Sequence, residues 1–240
     1  MEFNPMNLIY FIIVIPIVLI AFFMVSRIDK EKDHFIIIII LGVLLFIVRL
    51  VLVFFADTIG IMPYLKSDII FYTLLTIFGV GITCLYVKKI EKLSLKDIGW
   101  EVKDVKKSIF YGFIVYIPLV CLIPLIIFLT GIEISLVITW EKVVLALNFS
   151  LLAGIYEEVM FRGIMQNHVR ALTSENQTII FTALIFTATH LWYLPFIGYG
   201  IYYIFVFVMA LLLSVLRLKS DQLSCFILHT GIVFILILFA

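Results

Sequence analysis

Apolar residues run through this chain in blocks of about 18 to 26, and short polar stretches separate them. Neither a 3.6-residue nor a 2-residue alternation dominates within the blocks. A helix that is apolar all round belongs in a core or a bilayer, and about 20 apolar residues span about 30 Å of hydrocarbon. The blocks predict eight helical spans, at about 7–25, 35–55, 68–87, 108–130, 143–168, 178–191, 199–216 and 222–239, the sixth being short. The fold class expected is all-α, a polytopic transmembrane helical bundle.

Composition supports that setting. Of 240 residues, 65% are hydrophobic and 14% charged, and the mean hydropathy is +1.26; a soluble domain carries about 25% charge. A single anchor on a soluble body is excluded, because apolar blocks recur along the whole chain. The first block, Leu8 to Val25, has no preceding Lys or Arg and no small-residue cleavage pattern after it, so it reads as a retained helix. Cys84, Cys121 and Cys225 all lie in apolar blocks without CxxC spacing and read as small core residues.

Charge then orients the bundle. Fourteen of the 17 Lys and Arg lie in or flank odd-numbered loops, Arg162 among those that flank one, only Lys66 and Lys142 fall in even loops, and Arg49 is left inside a span. The positive-inside rule places the odd loops in the cytoplasm and both termini outside. The stretch Lys88–Lys107 is the one sizeable polar segment, expected as a solvated connection or as a surface segment on anionic lipid anchored by Trp100. No P-loop, GxGxxG, HExxH or internal repeat is present.

Against this background the cluster Glu157-Glu158-Val159-Met160-Phe161-Arg162 stands out, since ionisable groups at membrane depth are costly and usually functional. Glu158 and Arg162 are four apart with the acid first, the favoured order for an intrahelical ion pair. Glu157 is rotated about 100° away and has no partner in its own helix. It is therefore expected to be the reactive acid, with Glu158 and Arg162 in support. His190 closes a mostly apolar run, and counting about 1.5 Å per residue from the flanking loop puts Glu157 about 16 Å and His190 about 18 Å deep. The two should meet within reach of one water. His229, in the last span, comes close to the same level, whereas His34 and His168 lie in or beside polar loops and receive no role.

This set supports two mechanisms. In one, Glu157 and His190 activate water for attack on a carbonyl while His229 stabilises the oxyanion. In the other, Glu157, His190 and His229 hold a metal such as zinc in an open three-ligand site. Either hydrolyses an amide bond, and spacing does not choose between them.

The motifs Glu157-Glu158-x-x-Phe161-Arg162-Gly163, Phe186-x-x-x-His190 and the final-helix His229 together resemble the CPBP family of intramembrane proteases, also called the Abi or CAAX-protease-like family. The resemblance covers roughly residues 90 to 239, including Leu93 to Trp100. It implies variable N-terminal transmembrane helices over 1–87 and a protease core over 88–240. It implies a catalytic glutamate at Glu157, motif support at Glu158 and Arg162, and catalytic partners at His190 and His229. The family's last motif often reads HxxxN or HxxxD, but here Val233 follows His229 by four. Asn148 and Thr230 are the candidate auxiliary donors.

The function expected is an intramembrane endopeptidase acting on a hydrophobic or membrane-anchored peptide or protein. No nucleic-acid partner is expected. The short chain, rich in Lys and Ile, looks bacterial, which suggests a plasma-membrane role in peptide processing or bacteriocin immunity. The alternative suggested by Val233 is a catalytically inactive membrane partner protein, and a proton-coupled transporter is a third option.

Overall fold

The computed structural model describes residues 7–58, 69–130, 137–191 and 200–239, and every element among them is helical. In chain order these are α1 (Asn7–Ser26), α2 (His34–Thr58), α3 (Ile69–Leu85), α4 (Val105–Thr130), α5 (Trp140–Leu151), α6 (Gln166–Leu172), α7 (Glu175–Ala188), α8 (Gly200–Lys219) and α9 (Gln222–Phe239). A π-helical turn, Tyr86–Glu91, extends α3, and two more, Leu152–Glu157 and Val159–Met165, join α5 to α6 as one long rod. The expected polytopic helical bundle is what forms. Lys66 lies outside the described residues.

Among the described residues, six helices are long and apolar enough to cross a membrane, covering His34–Val51, Phe71–Glu91, Val105–Leu125, Trp140–Leu172, Gly200–Lys219 and Gln222–Phe239. Tyr10–Ser26 is a shorter apolar helix. At 14 residues, α7 rises only about 21 Å, less than the hydrocarbon thickness. Its start is defined by a capping box between Ser174 and Gln177. Its end lies inside the protein, where Thr189 and His190 are buried.

The rod α5–α6 is central. α9 packs along α5 and the first π-turn on one side and along α4 on the other, α7 packs on α8, and α2 lies against α6. The approach of α9 to the rod depends on Gly154, where a Cβ would meet Thr230 Oγ1 and the Phe226 ring, the latter at 2.9 Å. Gly154→Ala is expected to cost about 1–3 kcal/mol by overpacking. Thermal unfolding of the detergent-solubilised protein would register it as a lowered midpoint.

The Lys88–Lys107 stretch is more than a solvated connection. Asn167 Nδ2 donates to Asp97 O at 3.2 Å, Gln222 N donates to Gly99 O at 3.0 Å, and Ile98 is buried against Gly163. A side chain at Gly163 would press on Ile98 Cβ at 3.1 Å, which gives the glycine of the FRG motif a packing reason. Gly99 adopts φ +82°, the left-handed region that glycine favours. Ser94 donates to the Asp97 carboxylate through its hydroxyl and its backbone N–H, both at 2.7 Å, and these bonds hold that carboxyl below its usual range. Trp100 is half-buried, its ring 5.8 Å from that of Phe226. Of the three cysteines, only Cys225 is a core residue, with Sγ 3.3 Å from Leu213 O; Cys84 and Cys121 are exposed on helix surfaces.

Candidate active site

Glu157 ends the first π-turn, Glu158 joins the two, and Arg162 lies in the second. A π-turn is wider than an α-turn and typically marks a functional site. Here the widening lets both adjacent carboxylates face the same neighbour, His229 of α9. Glu158 Oε1 accepts from Arg162 Nη1 at 3.1 Å and from His229 Nδ1 at 2.6 Å, while Glu157 Oε2 lies 3.9 Å from His229 Nε2. Arg162 also donates through Nη2 to Ala210 O of α8 at 3.3 Å. The Glu158–Arg162 pair has the geometry its spacing predicts, and it is completely buried.

The partner of Glu157 comes from α2. Arg49 Nη2 is 2.7 Å from Glu157 Oε1, and Arg49 Nη1 is 2.7 and 2.8 Å from Nδ1 and Nε2 of His190. The guanidinium thus bridges the acid and the histidine that were expected to meet through one water. His190 follows the last turn of α7, and its Nδ1 donates to Phe186 O at 2.9 Å. Because that carbonyl and the Glu158 carboxylate can only accept, Nδ1 of both His190 and His229 is assigned the proton.

Phe186 forms the floor. Its ring centroid is 4.5 Å from that of His190, 5.7 Å from that of His229 and 4.9 Å from that of Phe161, and the Arg162 guanidinium stands 4.4 Å from it. Two carboxylates and two guanidiniums therefore share one apolar enclosure with their formal charges matched. That balance is what burial of charge requires.

Two expected auxiliary residues lie elsewhere. Asn148 faces α3, where its Nδ2 donates to Thr73 Oγ1 at 3.2 Å and to Val144 O at 3.1 Å. Asn148→Ala is expected to cost about 1 kcal/mol of stability while leaving the turnover of folded protein unchanged. Matched-concentration kinetics beside a melting curve would separate the two effects. Thr230 meets the rod at Gly154, and its hydroxyl has no hydrogen-bond partner among the described residues.

The zinc reading fits these residues poorly. Among the described residues no three His, Cys, Asp or Glu are grouped to hold an ion. The position between Glu157 and His190 is taken by a cationic side chain, and a guanidinium occupies the lone pairs a metal would need.

Sequence reasoning gave no role to Arg49, or to a second buried cluster at the other end of α2. There His34 Nδ1 lies 2.9 Å from His168 Nδ1, and His168 Nε2 lies 3.8 Å from Glu91 Oε2. Tyr86 donates to Glu91 Oε1 at 2.5 Å, and Lys30 Nζ is 3.5 Å from Glu91 Oε2. The available signal for Arg49 was its isolation as a lone charge within an apolar span.

The fold and the cluster together define a multi-pass helical membrane protein with an acid, histidine and arginine centre at the meeting of five helices. Residues 139–235 match the family described as Type II CAAX prenyl endopeptidase Rce1-like, a similarity in line with the resemblance its motifs carry. No curated protein and no solved structure matches the chain. The matched segment contains Glu157, Glu158, Arg162, His190, His229 and Val233, whereas Arg49 comes from outside it.

Proposed function

We propose that the protein is an intramembrane endopeptidase that hydrolyses a peptide bond in a hydrophobic or membrane-anchored peptide, with Glu157 as general base. One observation carries the reading: the Glu157 side chain is 15% exposed, while those of Glu158 and Arg162 are at 0% and that of His229 at 2%. Glu157 is the acid of the cluster that a substrate and its water can reach. Glu158 is consumed by Arg162 and His229 and keeps the rod and α9 in register.

In the reaction, Glu157 takes a proton from water as the water oxygen attacks the scissile carbonyl. His190 holds the Arg49 guanidinium beside Glu157 through the 2.8 Å contact at Nε2, and Glu157 returns the proton to the leaving amine. The setting proposed is a bacterial plasma membrane, in peptide processing or bacteriocin immunity, with the membrane itself delivering the substrate. Val233 favours a second reading, a non-enzymatic partner protein of the same fold.

The test uses the full chain in proteoliposomes with two probes, a farnesylated peptide ending in a CAAX sequence and an unprenylated hydrophobic precursor peptide, with products followed by mass spectrometry. Cleavage of either probe that persists in EDTA is the expected result. Equal processing by the wild type and by Glu157→Gln would sink the hydrolase reading and leave the partner-protein one.

A further inference from the structure

We infer that Arg49 is a catalytic residue, the cation that holds the oxyanion of the tetrahedral intermediate in place of the donor that Val233 cannot supply. The inference rests on the hydrolase reading above. It begins from the hydrogen-bond donors at the site. An oxyanion needs N–H or O–H groups aimed at it, and Val233 offers no polar atom. The histidines are poorly suited, because the Nδ1–H of His229 is committed to Glu158 and that of His190 to Phe186 O. The other ring nitrogens are taken up too, Nε2 of His190 lying 2.8 Å from Arg49 Nη1 and Nε2 of His229 facing Glu157 Oε2 at 3.9 Å. The remaining cations are Arg162, wholly buried and bound to Glu158 and Ala210 O, and Arg49, whose two Nη atoms face Glu157 and His190.

Charge conservation points the same way. At rest, the negative charge on Glu157 lies 2.7 Å from the Arg49 guanidinium. As the water C–O bond forms, the water proton moves to Glu157 and the carbonyl π pair becomes the oxyanion. The negative charge shifts from the carboxylate to the substrate oxygen and stays beside the same guanidinium. No unmatched charge appears in an enclosure where it would be costly. When the intermediate collapses, the C–N bond breaks, Glu157 returns its proton to the amine, and the charge reverts to the carboxylate. Five N–H donors in one plane let a guanidinium serve a carboxylate and an oxyanion together. The residue comes from α2, outside the segment that matches the family, so the chain completes its site with a helix that the segment lacks.

The experiment measures binding as well as turnover. The probes are the farnesylated CAAX peptide with its scissile amide replaced by an anionic phosphinate, and the same peptide with a neutral ketomethylene. The wild type should bind the phosphinate at least about 100-fold more tightly, in line with the rate factor of one oxyanion donor. Arg49→Gln should erase that preference and lower kcat about 10²–10³-fold with little change in KM. Glu157→Gln should keep the preference, because its guanidinium remains. The double variant Arg49→Gln/Glu157→Gln removes both charges together, which protects folding, and should also show no preference. If cleavage proceeds and the preference survives Arg49→Gln, the assignment is wrong while the hydrolase reading stands. If neither analogue binds and neither peptide is cut, both fall.

Discussion

Glu157→Gln is expected to reduce peptide cleavage about 10²–10⁴-fold, the usual contribution of a positioned general base, without loss of the folded protein. The amide keeps the shape of the side chain and can still accept from Arg49, whose Nη2 stands 2.7 Å from Glu157 Oε1 in the native chain. What it loses is the capacity to take a proton from water. The readout is single-turnover cleavage in proteoliposomes, normalised to protein recovered as a monodisperse peak. A variant that cleaves normally would show that the acid most open to substrate is not the base. Loss of the monodisperse peak itself would move Glu157 from chemistry to structure.

Arg162→Met has the opposite signature, a collapse in folded yield. Arg162 is completely buried, and its removal strands the Glu158 carboxylate, also at 0% exposure, in an apolar enclosure. Breaking a buried pair from one side costs about 3–5 kcal/mol, a large share of the 5–15 kcal/mol that holds a typical protein together. His229 Nδ1, 2.6 Å from the same oxygen, offsets part of the loss by remaining a donor to Glu158. Removing both charges in Glu158→Gln/Arg162→Met should recover much of the yield, since neutral side chains of similar size carry no desolvation penalty. Unfolding in mixed micelles would show the single variant below the double one. The reverse order would mean that Glu158 is not buried as an ion.

These two residues divide a cluster that is contiguous in sequence, and the division was largely legible there. A four-residue spacing in a helix puts Glu158 and Arg162 on one face, whatever packs around them. The spans were legible for a similar reason, because hydrocarbon requires long uninterrupted apolar segments and those are written locally. Partnerships across helices were less accessible. Depth counting placed Glu157 near His190, but counting along two helices cannot reveal that a third enters between them with Arg49. Nor could it reveal that the π-turns swing Glu157 toward His229, or that Asn148 faces Thr73 on α3. Lys88–Lys107 was legible in part, because its lysines are exposed as their charge suggested, while Ile98 and the Gly99 carbonyl anchor it to the rod and to α9.

The apolar blocks, the matched pair Glu158–Arg162 and the short motifs that carry the resemblance were determined by the sequence itself, because each is written in residues close together along the chain. Which cation faces Glu157, which neighbours hold each histidine and which acid stays reachable were decided only by tertiary structure. Those properties arise where α2, α7 and α9 converge on one widened rod, and distances between helices are set by packing, which no local spacing encodes.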